Sequence, residues 1–392
     1  MRSTLRNLSV DTNLPVVFGL ALIAVLRPDS LTPAFPGITQ AFHVTSQQVA
    51  LLISLFSLPS LVLTPVLGVL ADRWGRKRIL VPSLLIFSLA GGACALARDF
   101  NVLLVLRLIQ GVGAAPLSML NITLVADLYQ GERATTTMGY NTAFRSIGSM
   151  LFPALGGLLA GLGWFYPFFL PLFALPVAAL VAWRLKNPEP NIHTGFVEYL
   201  GGAWHSMRSW EVVRIFLAGG MTFIYMFGSY LGYYAFLLSD KFGASPFVIG
   251  LLISGRPVIT ALMGSQLGRL TRAWGALNMF RMAFFLYALV FLLIPFVPQL
   301  WMMAGITILL GTAEGFFWPS NHAALGRLAP LEHRAGFMAF NDLVMKLGQT
   351  VGPVLIGFVA LIGGINLTFY VGAALAAGTC ALFFVGERKR SL

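Results

Sequence analysis

The sequence contains few charged residues and almost no cysteine. Asp, Glu, Lys and Arg together make up 10% of the 392 residues, whereas an ordinary soluble domain carries about 25%. Hydrophobic residues make up 57%, so the low charge excludes a soluble globular protein. The two cysteines, Cys94 and Cys380, lie inside apolar stretches and predict neither a disulfide framework nor a metal site.

Residue groups that carry enzymatic chemistry are also missing. A membrane enzyme needs a nucleophile with its base, or a metal cluster, on one membrane face. The five histidines are instead scattered, at His43, His193, His205, His322 and His333. No phosphate-cradling loop of the P-loop type is present, which argues against direct use of ATP. We therefore expect no catalytic residues, no metal and no cofactor.

Long apolar runs dominate what is present. A membrane-spanning helix needs about 20 consecutive apolar residues, and the runs predict twelve spans. Their approximate ranges are 14–38, 48–71, 79–97, 101–126, 137–160, 164–184, 212–238, 246–267, 279–297, 300–323, 335–360 and 365–385. We expect an all-α integral membrane protein with short loops, no large soluble domain and a short cytoplasmic tail before the first span.

A repeat at an offset of 200 residues divides the spans into two halves. The segment LLIS at 51–54 recurs at 251–254, and the same offset relates many helix-punctuating residues. Gly111, Asn121, Asn141, Gly148 and Pro153 match Gly311, Asn321, Asn341, Gly348 and Pro353. This repeat predicts two homologous six-helix bundles, 1–184 and 212–392, joined by a cytoplasmic linker, 185–211. Parallel repeats of this kind build transporters with the site between the halves.

The net charge of +12 is explained by topology. With both termini cytoplasmic, nineteen of the 26 Lys and Arg residues fall in predicted inner loops and termini, as the positive-inside rule requires. Only Arg98 and Lys241 fall in outer loops. The basic excess therefore does not require a nucleic-acid partner, and it predicts a multi-pass protein of the cell membrane, in a bacterium the inner membrane.

The segment GVLADRWGRKR, residues 68–78, joins the second and third spans. A basic turn that obeys the positive-inside rule would explain its last three cations, but not its glycines and its acid. The segment resembles the signature loop of the major facilitator superfamily. The run RLIQGVGAA from Arg107 resembles the arginine motif of proton-coupled members. Gly148, Pro153, Gly156 and Gly157 are similar to the antiporter motif, with Phe152 where a glycine usually precedes the proline.

The resemblance covers the whole chain and is strongest to the twelve-span drug:proton antiporters, although sugar exporters and lipid flippases share these motifs. It implies two bundles that rock around a central site. It also implies a conformational latch in which Asp72 faces the eleventh helix and Arg73 pairs with Asp127. The latch comprises Gly68, Asp72, Arg73, Gly75 and Asp127. Arg272 replaces Asp72 in the second half, so we expect an asymmetric latch.

Charges inside predicted spans are costly and are therefore candidates for function. Asp29, on a first helix weakened by prolines, is the first candidate for protonation, with Arg27 or Arg107 nearby. The competing interpretation is a static ion pair between the first and fourth helices. Glu314 is the second candidate. Glu314 and Arg256 have no charged counterparts in the first half, which indicates an ion pair or a substrate-binding pair.

The candidate substrate-binding residues are four arginines and three aromatic residues, namely Arg27, Arg107, Arg145, Arg256, Tyr230, Tyr234 and Phe317. For Arg107 the alternative is structural packing, and for Arg145 it is snorkelling to the membrane surface. For the aromatic residues the alternative is packing between helices. His322 is interpreted as structural, with proton relay as its alternative.

Together these features predict a proton-coupled exporter of lipophilic or amphipathic small molecules that works as a monomer by alternating access. Its partners would be the substrate, protons and the lipid bilayer. The alternative is an exporter or flippase for a sugar, glycolipid or lysolipid, whose head group would contact the paired charges. A transport-inactive receptor with the same fold is a further alternative, against which the retained first-half latch argues.

Overall fold

A computed structural model of the protein describes residues 13–26, 28–185, 209–329 and 334–385. Three features singled out in the sequence lie outside the described residues. They are the N-terminal tail, Arg27 and most of the linker.

Within the described residues, helices account for twelve membrane crossings. Nine of them are single helical stretches of sufficient length and hydropathy, and a tenth stretch, Gly336–Phe384, has 49 residues. A helix of that length would extend over about 74 Å, more than twice a hydrocarbon core of about 30 Å. It breaks at Gly363 and Gly364, whose backbone is not helical, and so provides two crossings. A bent pair of helices at the N-terminal end provides the twelfth, and the predicted all-α membrane fold is confirmed.

We number the crossings α1 to α12 in chain order. They are α1 (Leu14–Ala24 and Phe35–Phe42), α2 (Ser46–Trp74), α3 (Arg76–Cys94), α4 (Phe100–Ala114 and Leu117–Leu128), α5 (Gly131–Leu162), α6 (Tyr166–Phe173 and Ala174–Arg184), α7 (Trp210–Phe242), α8 (Pro246–Trp274), α9 (Ala276–Leu293), α10 (Leu300–Leu328), α11 (334–362) and α12 (365–385).

Local sequence explains how α1 breaks and where other helices end. Proline removes a backbone donor and clashes with the preceding turn. Two short 3-10 turns, Pro28–Ser30 and Thr32–Ala34, accordingly separate the two parts of α1. The predicted weakening of this helix is confirmed. Gly75 and Gly275 end α2 and α8 with φ of 91° and 83°, a backbone region that favours glycine.

The sequence repeat extends to equivalent contacts in space. A Cβ built on Gly111 of α4 would lie 2.3 Å from the carbonyl oxygen of Phe56 on α2. A Cβ built on Gly311 of α10 would lie 2.7 Å from the carbonyl oxygen of Arg256 on α8. Both glycines and both carbonyls are related by 200 residues, so the two halves pack their helices in the same way.

The two halves meet where α5 packs along α8 and α2 packs along α11. We call the side of the membrane with the Gly75 and Gly275 turns the loop side, and the opposite side the far side. Near the far side, a Cβ built on Gly157 of α5 would lie 3.0 Å from the Cα of Gly250 on α8. Toward the loop side, no described atom lies within 4 Å of a Cβ built on Gly139 of α5 or on Gly268 of α8. The two helices therefore touch at the far side and separate toward the loop side.

Candidate functional site

A cavity of about 470 Å³ lies between the two halves. This volume falls within the range of about 300–1,000 Å³ that is usual for small-molecule sites. Residues of α1, α5, α7, α8 and α10 line the cavity, from the middle of these helices toward the loop side. Its ionisable lining residues are Asp29, Arg145, Arg256, Glu314 and His322.

Three of these residues form one group, which we call the charge triad: Asp29, Arg256 and Glu314. The Nη1 of Arg256 donates to Oε1 of Glu314, and its Nη2 donates to Oδ2 of Asp29 at 3.0 Å. Thr260, one turn after Arg256, donates to the second oxygen of Glu314 at 3.0 Å. The charge triad thus joins α1 of the first half to α8 and α10 of the second half.

The charge triad is largely buried and its charges do not balance. Arg256 and Glu314 are 9% and 6% exposed, whereas the side chain of Asp29 is 23% exposed. Oδ1 of Asp29 is buried with no hydrogen-bond partner among the described residues. Two carboxylates around one guanidinium leave one negative charge. Buried charge is costly unless it is paired. One further positive charge, carried by a proton or by a cationic ligand, would bring the sum to zero.

Arg107 is not the partner of Asp29, contrary to the expectation from the sequence. Arg107 is buried on α4, where its Nη1 donates to Oε1 of Gln110 at 2.7 Å and its guanidinium lies 4.5 Å from the centroid of the Phe56 ring. It does not line the cavity, so its position is that of a packing residue. Asp29 instead reaches the second half, where its Oδ2 accepts a hydrogen bond from Nη2 of Arg256. Its neighbour Ser30 packs closely against α5 of its own half, since a Cβ built on Gly156 would lie 1.8 Å from the carbonyl oxygen of Ser30.

Arg145 does line the cavity, on the wall formed by α5. Its Nη2 donates to Oγ of Ser118 at 3.1 Å, and its Nη1 donates to Oδ1 of Asn121 at 3.5 Å. Both bonds are to α4 of the same half, and they hold the guanidinium against this wall. Arg145 therefore faces the space between the halves, and its role in substrate binding stays a prediction.

The aromatic wall of the cavity differs from the expected one. Tyr230, Tyr234 and Phe317 are at most 1% exposed and do not line the cavity. The ring of Tyr230 lies behind Arg256, 5.6 Å from its guanidinium carbon. The aromatic residues that line the cavity are Phe223, Phe227 and Trp318, with Phe152 on α5.

The lining helix α7 is irregular. It contains a π-helical turn at Met226–Tyr230, which inserts an extra residue into the helical register. Side chains after this turn therefore point in other directions than a regular spacing of 3.6 residues per turn would give. His322 also lines the cavity, and its ring stacks 6.1 Å from that of Trp318.

Comparison with known proteins identifies the family. The sequence profile of the Major Facilitator Superfamily matches residues 17–237 and 216–392. The chain belongs to the Major Facilitator Superfamily. This family consists of transporters, so the coarse function is transport across a membrane.

Individual relatives cover nearly the whole chain. Multidrug resistance protein 1 of Bacillus subtilis (strain 168) is 25% identical over 377 residues, 95% of each chain. The quinolone resistance protein NorA of Staphylococcus aureus (strain COL) is 24% identical over 332 residues, 83% of this chain and 84% of that protein. The crystal structure of the nucleoside transporter NupG superposes with a TM-score of 0.80 at 14% identity, covering 96% of this chain and 99% of that one. The likeness to NupG concerns the fold.

Two of the predicted latch residues, Asp72 and Asp127, are joined by an arginine, but it is Arg76 and not Arg73. Arg76 lies 2.5 Å from Asp72, and its Nε donates to Oδ2 of Asp127 at 2.9 Å. Arg73 is exposed. The reason is the turn at Gly75, after which Arg76 begins α3, beside the end of α4 that carries Asp127. In the second half Arg272 donates to the carbonyl of Gly268 in its own helix, at 3.2 Å.

The antiporter-motif glycines of α5 lie at two contacts. A Cβ built on Gly148 would lie 2.6 Å from Val25 of α1, and Gly156 meets the same helix at Ser30. A Cβ built on Gly157 would lie 2.4 Å from the carbonyl oxygen of Pro246 on α8. The motif therefore brings α1 against α5 within one half, and α5 against α8 of the other half. Pro153, the remaining motif residue, lines the cavity.

Proposed function

We propose that the protein is a proton-coupled exporter of lipophilic or amphipathic small molecules. The observation that supports this proposal is the charge triad, with its one unbalanced negative charge, at the wall of a drug-sized cavity. A proton on Asp29 or Glu314 cancels this charge, and so does a cationic group of a substrate beside them. Because either one neutralises the site, the proton and the substrate compete for it. Such competition couples proton entry to substrate exit.

The position of the triad also links protonation to movement. Asp29 belongs to the first half and Arg256 to the second, so their bond crosses the surface along which the halves would rock. A hydrogen bond between two ions is roughly twice as strong as one between neutral groups. Protonation of Asp29 therefore weakens a bond between the halves and shifts the balance between conformations.

In this proposal the moving bodies are the two six-helix bundles, 1–184 and 212–392, connected by 185–211. The excess of Lys and Arg at the loop side supports a cytoplasmic position for this side and for both termini in a bacterium. The cavity, which widens toward the loop side, then takes up substrate from the cytoplasm or the inner leaflet. One chain forms the whole cavity, which supports a monomer. Relatives named for multidrug and quinolone resistance support efflux as the direction.

Transport into proteoliposomes with an imposed pH gradient tests the proposal, with ethidium as the lipophilic probe. We expect Asp29→Asn and Glu314→Gln to lose gradient-driven uptake, and to retain exchange of ethidium down its own gradient. Asp240→Asn is the matched control, because Asp240 is exposed at the far end of α7, outside the cavity. Full gradient-driven uptake in both site variants would overturn the proposal.

A second candidate function is export or flipping of a glycolipid, sugar or lysolipid. The observation that favours it is the contrast between the hydroxyl-bearing wall on α5 and the aromatic wall on α7, which would suit a head group and an acyl chain. Movement of a fluorescent lysolipid between leaflets, without any transport of ethidium, would support this function over the first one.

A further inference from the structure

The cavity carries charges of both signs at two different depths. Gly157 of α5 and Gly250 of α8 touch and therefore mark one level. Arg256, at the centre of the charge triad, lies six residues from Gly250 toward the loop side, which is about 9 Å along a helix. Arg145 lies twelve residues from Gly157 in the same direction, which is about 18 Å. Arg145 is thus about 9 Å closer to the loop side than Arg256 is.

The wall around Arg145 carries hydroxyl groups. Thr142, Ser146 and Ser149 line the cavity beside it, and their spacing places all four side chains on one face of α5. The hydroxyls of Thr142 and Ser149 donate to backbone carbonyls of α5, so the charged group of this wall is the guanidinium of Arg145. A guanidinium presents its N–H donors as a planar fork that matches the oxygens of a carboxylate or phosphate. This wall has the chemistry of a site for an anionic group.

The opposite wall is mainly apolar. Phe223, Met226, Phe227 and Leu231 of α7 line it, together with Trp318 of α10, and its polar members are Thr222 and His322. Flat apolar surface of this kind binds the apolar body of a ligand and leaves its polar ends to the charged sites. The cavity therefore has an anion-binding end near Arg145, a cation-binding end at the triad, and an apolar surface that faces the space between them.

We infer that the substrate is a zwitterionic amphiphile, with a cationic group at Asp29 and Glu314, an anionic group at Arg145 and an apolar body against α7. This inference rests on the proposed function and narrows its substrate class. A ligand with only a cationic group leaves the anion-binding end unused, and a ligand with only an anionic group leaves the negative charge of the triad uncompensated. The cationic group remains the one that competes with the proton.

Three ligands with the same rigid scaffold test the inference. They are 4′-(aminomethyl)biphenyl-4-carboxylate, which is a zwitterion, its methyl ester, which is a cation, and its N-acetyl derivative, which is an anion. Titration calorimetry on the purified protein measures their affinities. We expect the zwitterion to bind about tenfold more tightly than either derivative. Equal binding of the ester and the zwitterion would overturn the inference.

Variants of Arg145 separate recognition from structure. We expect Arg145→Gln to reduce zwitterion affinity to the level of the ester and to leave ester affinity unchanged, while Arg145→Lys retains part of the preference because it keeps the charge. Arg184→Gln, at the exposed end of α6, is the matched control. If Arg145→Gln weakened the ester as much as the zwitterion, Arg145 would be structural and the inference wrong.

A fourth ligand identifies the source of the zwitterion, and the transport assay distinguishes failure of the inference from failure of the proposed function. Lysophosphatidylcholine, added as a fourth ligand, binds more tightly than the biphenyl zwitterion if the natural substrate is a lipid, and more weakly if it is a soluble compound. Ethidium transport that still depends on Asp29 and Glu314, with no preference for the zwitterion, would refute the inference alone. Zwitterion preference with unchanged gradient-driven transport in Asp29→Asn and Glu314→Gln would refute the coupling mechanism instead.

Discussion

A methyl group added at Gly157 is expected to destabilise the conformation in which α5 and α8 touch at the far side. The built Cβ would lie 2.4 Å from the carbonyl oxygen of Pro246 and 3.0 Å from the Cα of Gly250. Comfortable carbon–oxygen contacts are about 3.3 Å or longer, and carbon–carbon contacts are about 3.5–4.0 Å. In Gly157→Ala, α5 and α8 must therefore move apart by roughly 1 Å where they now touch.

The size of the shift between conformations depends on which conformation bears the cost of the added methyl group. An added methyl in a tightly packed contact costs about 1–3 kcal/mol. Only the conformation in which α5 and α8 touch at the far side bears this cost. The equilibrium should then shift toward conformations with this end open by about 5- to 150-fold. Alanine is a better helix former than glycine, so loss of α5 itself does not compete with this explanation.

Spin labels at the far ends of the two helices measure the shift. Leu162→Cys on α5 and Phe247→Cys on α8 place the labels at positions that are 71% and 44% exposed, with Cys94 and Cys380 replaced by serine. Pulsed electron–electron double resonance should show a population with a longer distance between the two labels in Gly157→Ala.

Gly161→Ala is the matched control, since Gly161 lies one turn further along α5 and no described atom lies within 4 Å of its built Cβ. If Gly157→Ala gave the same distances as Gly161→Ala and the wild type, the contact between Gly157 and α8 would carry no energetic weight, and this reasoning would be refuted.

Two further predictions concern charges. Arg256→Gln leaves the buried carboxylate of Glu314 and the partly buried one of Asp29 without their shared cation, so it should lower the free energy of unfolding by about 3–5 kcal/mol. The double variant Arg256→Gln/Glu314→Gln should recover most of this loss, as measured by denaturation of the purified protein. An equal loss of stability in the single and the double variant would contradict an energetic coupling between Arg256 and Glu314. Arg76→Gln disconnects Asp72 from Asp127 and should slow initial transport rates in proteoliposomes. Arg272→Gln should leave these rates unchanged, because the hydrogen bond that Arg272 makes among the described residues lies within its own helix. A similar slowing in both variants would count against the latch.

Features that depend on neighbouring residues were predictable from the sequence. The spans follow from apolar runs, the break in α1 from its prolines, and the equivalence of α2 and α8 from one constant offset. The pairing of Arg256 with Glu314 was also within reach, because both are unexplained by the repeat. The residues of the aromatic wall were not, because which aromatic side chains of α7 and α10 face the cavity depends on how these helices pack against their neighbours, and α7 also contains a π-helical turn.

The sequence by itself determined that this is a two-fold repeated membrane protein and which of its few charges lie inside the membrane, because hydropathy and repetition are properties of the chain read in order. Only the tertiary structure decided which of those charges meet. Asp29 pairs with Arg256, 227 residues away, and Asp127 pairs with Arg76 rather than Arg73. Such choices depend on which faces of distant helices touch. Close glycine contacts join α1, α5 and α8 around Asp29 and Arg256, and the turn at Gly75 places Arg76 beside Asp127.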